Sequence, residues 1–139
     1  MTADVHDYQR MLDNVVKRIR ACGSLNRGTK RNILRFRDEC FSLGLSTGRV
    51  ARYLYDVWKL VEWHGRDLAH VTLADVKNIL VRVERSSYAP ASKRDLKIAL
   101  RKYVHFLKGT REMPKVVSWI RSSAGAKTVK IPEEILSPE

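Results

Sequence analysis

A helical period recurs along most of this chain, each time between residues that start or stop a helix, and it leaves little choice of fold class. From Asp4 to Arg20, the residues Val5, Tyr8, Leu12, Val15, Val16 and Ile19 recur at the spacing of one helical face, and CGSLNRG then breaks the pattern. From Thr29 to Leu43 the apolar face holds Ile33, Leu34, Phe36, Cys40 and Phe41, and Gly44 ends it. The third stretch opens at Ser46 or Thr47, whose hydroxyl can accept a bond from a free backbone N–H. It aligns Val50, Tyr53, Leu54, Val57, Leu60 and Val61 before Gly65.

In TLAD, Thr72 and Asp75 form a variant of the capping box with Asp in place of Glu, ahead of Leu73, Val76, Ile79, Leu80 and Val83. The fifth stretch, YAPASKRDLKIALRKYVHFLKG, is entered through Pro90 and Ser92 and closed by Gly109, with Leu96, Ala99, Leu100, Tyr103, Phe106 and Leu107 on one face. Pro114 opens a short helix through Trp119 and Ile120, whereas RSSAGAKTVK has no period and reads as a linker. No β-type alternation, Gly-rich phosphate loop, repeat or heptad array interrupts this order. The expected fold is all-α, a compact bundle of about five helices with a C-terminal linker tail. At 139 residues, 44% of them hydrophobic, the chain suffices for one modest core.

Several classes of chemistry lack their residues. No apolar run reaches the roughly 20 residues that span a bilayer, and MTADVHDYQRML carries acids where a signal peptide needs a basic start, so a cytoplasmic protein without a membrane partner is expected. Cys22 and Cys40 are too few for a disulfide framework and are read as reduced thiols. His6, His64, His70 and His105 stand in unrelated contexts, so no metal or other cofactor is expected. Asp38-Glu39 and Glu133-Glu134 are adjacent, and adjacent helical residues do not face each other as an acid/base pair would. Tyr53 and Tyr103 belong to apolar stripes and are assigned to the core. Tyr55, Trp63 and Ile98 project off their stripes, either to cover a neighbouring helix or to form part of an interface.

Charge narrows the partner. The 27 Lys and Arg against 15 Asp and Glu give a net charge of +12, which favours a polyanion through long-range attraction and counterion release. The fifth stretch carries Lys93, Arg94, Lys97, Arg101, Lys102 and Lys108 against a single acid, Asp95, whereas a solvated face usually mixes signs. Arg49 and Arg52 give the start of the third stretch a similar excess. Two helix starts with hydroxyls and cations can hold phosphates through free N–H groups, the helix dipole and charge-assisted bonds.

With these segments in order, GLSTGRVARYLYDVWKLVEW, LADVKNILVRVE and YAPASKRDLKIALRKYVHFLKG together resemble the N-terminal core-binding, or SAM-like, domain of tyrosine recombinases, especially archaeal phage-type integrases. The ending MPKVVSWIRSSAGAKTVKIPEEILSPE is similar to the linker by which those proteins enter their catalytic domain. The resemblance covers roughly Asn26 to the end and implies an organisation in three parts. Residues 1–25 are an accessory N-terminal helix, 26–120 the core-binding domain, and 121–139 a linker to a catalytic domain of the same parent recombinase.

In that family the domain is a helical half of a C-shaped clamp on double-stranded DNA, and protomers assemble on the DNA. The resemblance implies that Thr47, Arg49 and Arg52, with Ser92, Lys93, Arg94 and Lys97, approach the major groove and its phosphates. Arg101 extends the second group by charge. Ser92 stands where many members carry Thr, and Arg49 where bacterial members often carry it. The family cleaves DNA with arginines, a His-x-x-Arg segment and a late tyrosine. Here His105 is followed by Phe-Leu-Lys and no tyrosine follows Tyr103, so no catalytic residue is assigned. Either a chain cut at a domain boundary or a naturally short protein would read this way.

The expected function is therefore non-catalytic DNA binding in site-specific recombination and integration. The alternative is a stand-alone basic helical interaction protein or DNA-binding regulator; a helix-turn-helix needs a tighter connection than any two of these helices share.

Overall fold

Caps and tertiary bonds close the helices near the predicted positions. The structure, a computed structural model, describes residues 5–121. The Val5 and His6 side chains and the tail after Arg121, where the linker is expected, lie outside the described residues. The described chain is all-α, without a strand: α1 Val5–Ala21, α2 Arg27–Ser42, α3 Thr47–His64, α4 Leu73–Arg85, α5 Pro90–Lys108 and the single-turn α6 Lys115–Ser118. It divides into two compact units after Leu68.

In the first unit, α2 begins two residues ahead of the predicted Thr29, because Asn26 is its cap and accepts from the Thr29 N–H at 2.8 Å. Its end is a Schellman turn. The Gly44 N–H donates to Phe41 O and the Leu45 N–H to Cys40 O, with Gly44 at φ 84° where a side chain would be strained. Ser46 caps α3, accepting from the Arg49 N–H at 3.2 Å, and the Gly65 N–H closes it onto Val61 O.

The three helices run with α1 and α3 parallel and α2 returning between their ends. Near the start of α1, the Tyr8 ring lies over Gly48, where an added Cβ would sit 3.0 Å from a ring carbon. Beyond the end of α1, Ser24 Oγ donates to Glu62 Oε2 near the end of α3 at 2.9 Å, and Cys22 Sγ to the same oxygen at 3.3 Å. Lys30 Nζ fixes α2 to the last turn of α1 by donating to Arg20 O at 2.7 Å. The core of this unit is Leu12, Val15, Val16 and Ile19 against Ile33 and Phe36 and the whole predicted stripe of α3 from Val50 to Val61. Tyr8 and Phe41, both expected there, are instead 48% and 39% exposed. Each sits in an end turn of its helix, where neighbours on the inner face run out.

In the second unit, Thr72 and Asp75 make the predicted capping box. The Thr72 N–H donates to Asp75 Oδ2 at 3.0 Å, and the Asp75 N–H to Thr72 Oγ1 at 3.1 Å. Val76, Ile79 and Val83 of α4 are buried, as are Leu96, Ala99, Leu100, Tyr103 and Val104 of α5 and Val117 and Ile120. Leu73, expected in the stripe, is exposed at the first turn of α4, and Leu80, Phe106 and Leu107 are half-buried. Ser92 is not the cap of α5. Ala89 takes that position without a side-chain bond, Pro90 follows, and the Gly109 N–H ends the helix on His105 O.

Candidate nucleic-acid interface

The start of α3 is assembled from short-range chemistry. Ser46 spends its hydroxyl on the Arg49 N–H, leaving the half-buried Thr47 at the first helical position. Arg49 is exposed and makes no side-chain hydrogen bond or ion pair among the described residues. Arg52, one turn on and on the same face, is fastened by Nε to Asp56 Oδ2 at 3.3 Å. Asp56 is 5% exposed, and a buried carboxylate without a partner is costly, so this arginine first serves the fold. The pair has the i, i+4 spacing of a helical ion pair; its burial is what the sequence left unread. Gly48, between Thr47 and Arg49, is the floor on which Tyr8 rests.

The cations of α5 separate into two lines. Lys93, Lys97 and Arg101, spaced four apart, all turn toward partners in their own unit. Lys93 Nζ donates to Glu84 O at 2.8 Å and Lys97 Nζ pairs with the carboxylate of the same Glu84. Arg101 Nη1 donates to Ile120 O at 2.6 Å. The backbone oxygen and the carboxylate of one residue at the end of α4 thus hold two cations of α5. Arg94, by contrast, is half-exposed and makes no hydrogen bond or ion pair among the described residues, and Lys102, two turns beyond it, is exposed. Ser92 is half-exposed one turn before Leu96. Behind Pro90, the N–H groups of Ala91 and Ser92 have no helical carbonyl to meet, as at any helix start.

The eight predicted residues thus fall into three groups. Arg49 and Arg94 are the cations open to a partner, Thr47 and Ser92 accompany them in the first turns, and Arg52, Lys93, Lys97 and Arg101 have intramolecular bonds. Sequence reasoning missed Glu84 and Ile120 as partners. Their separations of nine and nineteen residues from Lys93 and Arg101 carry no local signal. Among the described residues no group of three His, Cys, Asp or Glu side chains gathers as a metal ion would need, and no helix is long and apolar enough to cross a membrane. His105 Nε2 is hydrogen-bonded with Thr110 O at 2.8 Å. No family model matches the chain, and neither a curated protein nor a solved structure matches it.

Proposed function

We propose that this chain binds double-stranded DNA as the non-catalytic core-binding half-clamp of a site-specific tyrosine recombinase or integrase, working beside a catalytic domain of the same parent and other protomers on the DNA. The observation that carries the reading is the pair of open arginines at two helix starts, Arg49 on α3 and Arg94 on α5, each beside a hydroxyl residue and free backbone N–H groups. The order of segments that resembles recombinase core-binding domains supports it, as does the net charge of +12. Contacts of this kind go to phosphates and fix orientation, while base-edge contacts and DNA shape set the sequence read. The role assigned is binding rather than strand cleavage, because residues 1–139 contain no His-x-x-Arg.

The engagement of Lys93, Lys97 and Arg101 within their own unit favours one second reading, a basic helical interaction protein in which the α5 cations serve the fold. Titration of a labelled duplex across a salt series separates the two. Half a clamp bound through phosphates gives a dissociation constant of about 10⁻⁴ to 10⁻⁶ M at moderate salt, weakening by roughly 0.9 log units per phosphate for each log unit of salt. Binding that ignores salt, or equal affinity for an acidic protein, overturns the DNA reading.

A further inference from the structure

We propose a second phosphate-binding surface on the first unit, at the corner where α1 ends and α2 begins, formed by Arg20, Arg27 and Arg31. It rests on the proposed binding to duplex DNA and adds residues that the resemblance does not assign. Between Asp13 and Asp38 the sequence carries no acid, while Lys or Arg recurs from Lys17 to Arg37. Folding concentrates part of this charge. The bond from Lys30 Nζ to Arg20 O holds the last turn of α1, which carries Arg20, against the first turns of α2, which carry Arg27 and Arg31 one turn apart. All three are exposed, and none makes a side-chain hydrogen bond or ion pair among the described residues.

No acid at this end of the unit forms an ion pair with them among the described residues. Glu62 accepts from Ser24 and Cys22, and Asp67 accepts from Asn32 Nδ2 at 2.7 Å and from the Leu68 N–H. The helix dipole explains Arg20, since a cation at a helix end is favourable, but it opposes Arg27 at the first position of α2, and Arg27 and Arg31, one turn apart, repel each other with no acid in that first turn. An arrangement that local electrostatics disfavours, and that makes no intramolecular bond, is accounted for by an external anion. A duplex supplies closely spaced phosphates, so arginines on two adjoining helix ends can be engaged together.

The corner is separate from the start of α3. Since α1 and α3 run parallel, it lies at the opposite end of the first unit, about 27 Å away along the 18 residues of α3. The chain then meets DNA phosphates at both ends of this three-helix unit rather than only at the groove-facing helix start.

The test compares residues 1–139 carrying R20Q/R27Q/R31Q with R20K/R27K/R31K and with a control of equal charge loss at exposed positions outside the candidate interface, K108Q/R111Q/K115Q, on a fluorescein-labelled duplex across a salt series. Glutamine keeps helix propensity, and thermal unfolding by circular dichroism checks the fold. The corner glutamine variant is expected to lower the slope of log K against log salt by about 2.7, from 0.9 for each of three phosphates, and the control by less than about 1. The lysine variant is expected to keep the slope. Equal slopes for the corner variant and wild type, or for the corner variant and the control, overturn the proposal while leaving duplex binding intact. Wild-type protein that shows no salt-dependent duplex binding overturns the functional reading and this surface with it. Preferential capture of the wild type by polyglutamate over the duplex assigns the corner to an acidic protein and likewise overturns it.

Discussion

The Arg101 guanidinium donates through Nη1 to the backbone oxygen of Ile120 at 2.6 Å, tying the middle of α5 to the residue that follows the α6 turn. A charge-assisted bond of this length, from a half-buried side chain, holds a segment that has few backbone bonds of its own. The residue that by charge alone extends the basic stripe of α5 is thus a fastening for the segment around α6.

Exchange of Arg101 for Gln is therefore expected to destabilise the protein by about 1.5 kcal/mol, the scale of a hydrogen bond to a charged group. Exchange of Arg94 is expected to stay within about 0.5 kcal/mol of wild type, as for a surface position without partners, while reducing DNA affinity. Urea unfolding with duplex titration of both variants checks this. An R101Q variant as stable as wild type would remove the fastening role.

Trp58 carries a second expectation. Its indole Nε1 is buried without an acceptor among the described residues, and a buried donor left unpaired costs about 1 to 3 kcal/mol. Trp58→Phe removes that donor at the expense of some packing, so the net loss is expected to be under about 1 kcal/mol, whereas Trp58→Ala is expected to cost about 3 kcal/mol. A loss for the Phe variant approaching that of the Ala variant in urea unfolding would mean that the N–H is satisfied.

The helix boundaries were legible because their causes are local. Ser46, Thr72 with Asp75, Pro90, Gly44 and Gly109 each act on backbone groups within a turn of themselves, so type and spacing reveal them. The stripe of α3 was legible in full, since a central helix is buried along its length. Tyr8, Phe41 and Leu73 were misread as core because they share the period of their stripes but sit in end turns, where burial depends on which helix stands opposite. In the candidate interface, composition revealed the cations but not their direction. Whether Lys97 faces Glu84 or solvent is decided by the packing of α4 on α5, which no spacing within α5 encodes.

Contact between Tyr8 and Gly48 predicts a coupling between α1 and α3. Alanine at 48 gains up to about 1 kcal/mol of helix propensity, but its Cβ would stand 3.0 to 3.2 Å from three carbons of the Tyr8 ring and displace it. Gly48→Ala is accordingly expected to stabilise the Tyr8→Ala background more than the wild type. A double-mutant cycle in urea that shows additivity within about 0.3 kcal/mol would deny the contact.

The last expectation concerns Lys97, which Glu84 holds, under the proposed reading of α5. Glu84 is half-exposed, and an ion pair of this kind contributes about 0 to 1 kcal/mol, so Glu84→Gln should leave the fold intact while releasing the Lys97 ammonium. Lys93 keeps its bond, which goes to the backbone oxygen of Glu84 and not to the carboxylate. If the start of α5 faces phosphates, the freed ammonium adds a contact, and E84Q is expected to bind a duplex more tightly with a salt slope steeper by roughly 0.9. Glu39→Gln, at an exposed position on α2, removes the same charge without releasing a cation and is expected to leave the slope unchanged. Equal responses of the two variants in the same titration would show that only net charge had changed, and would take Lys97 out of the interface.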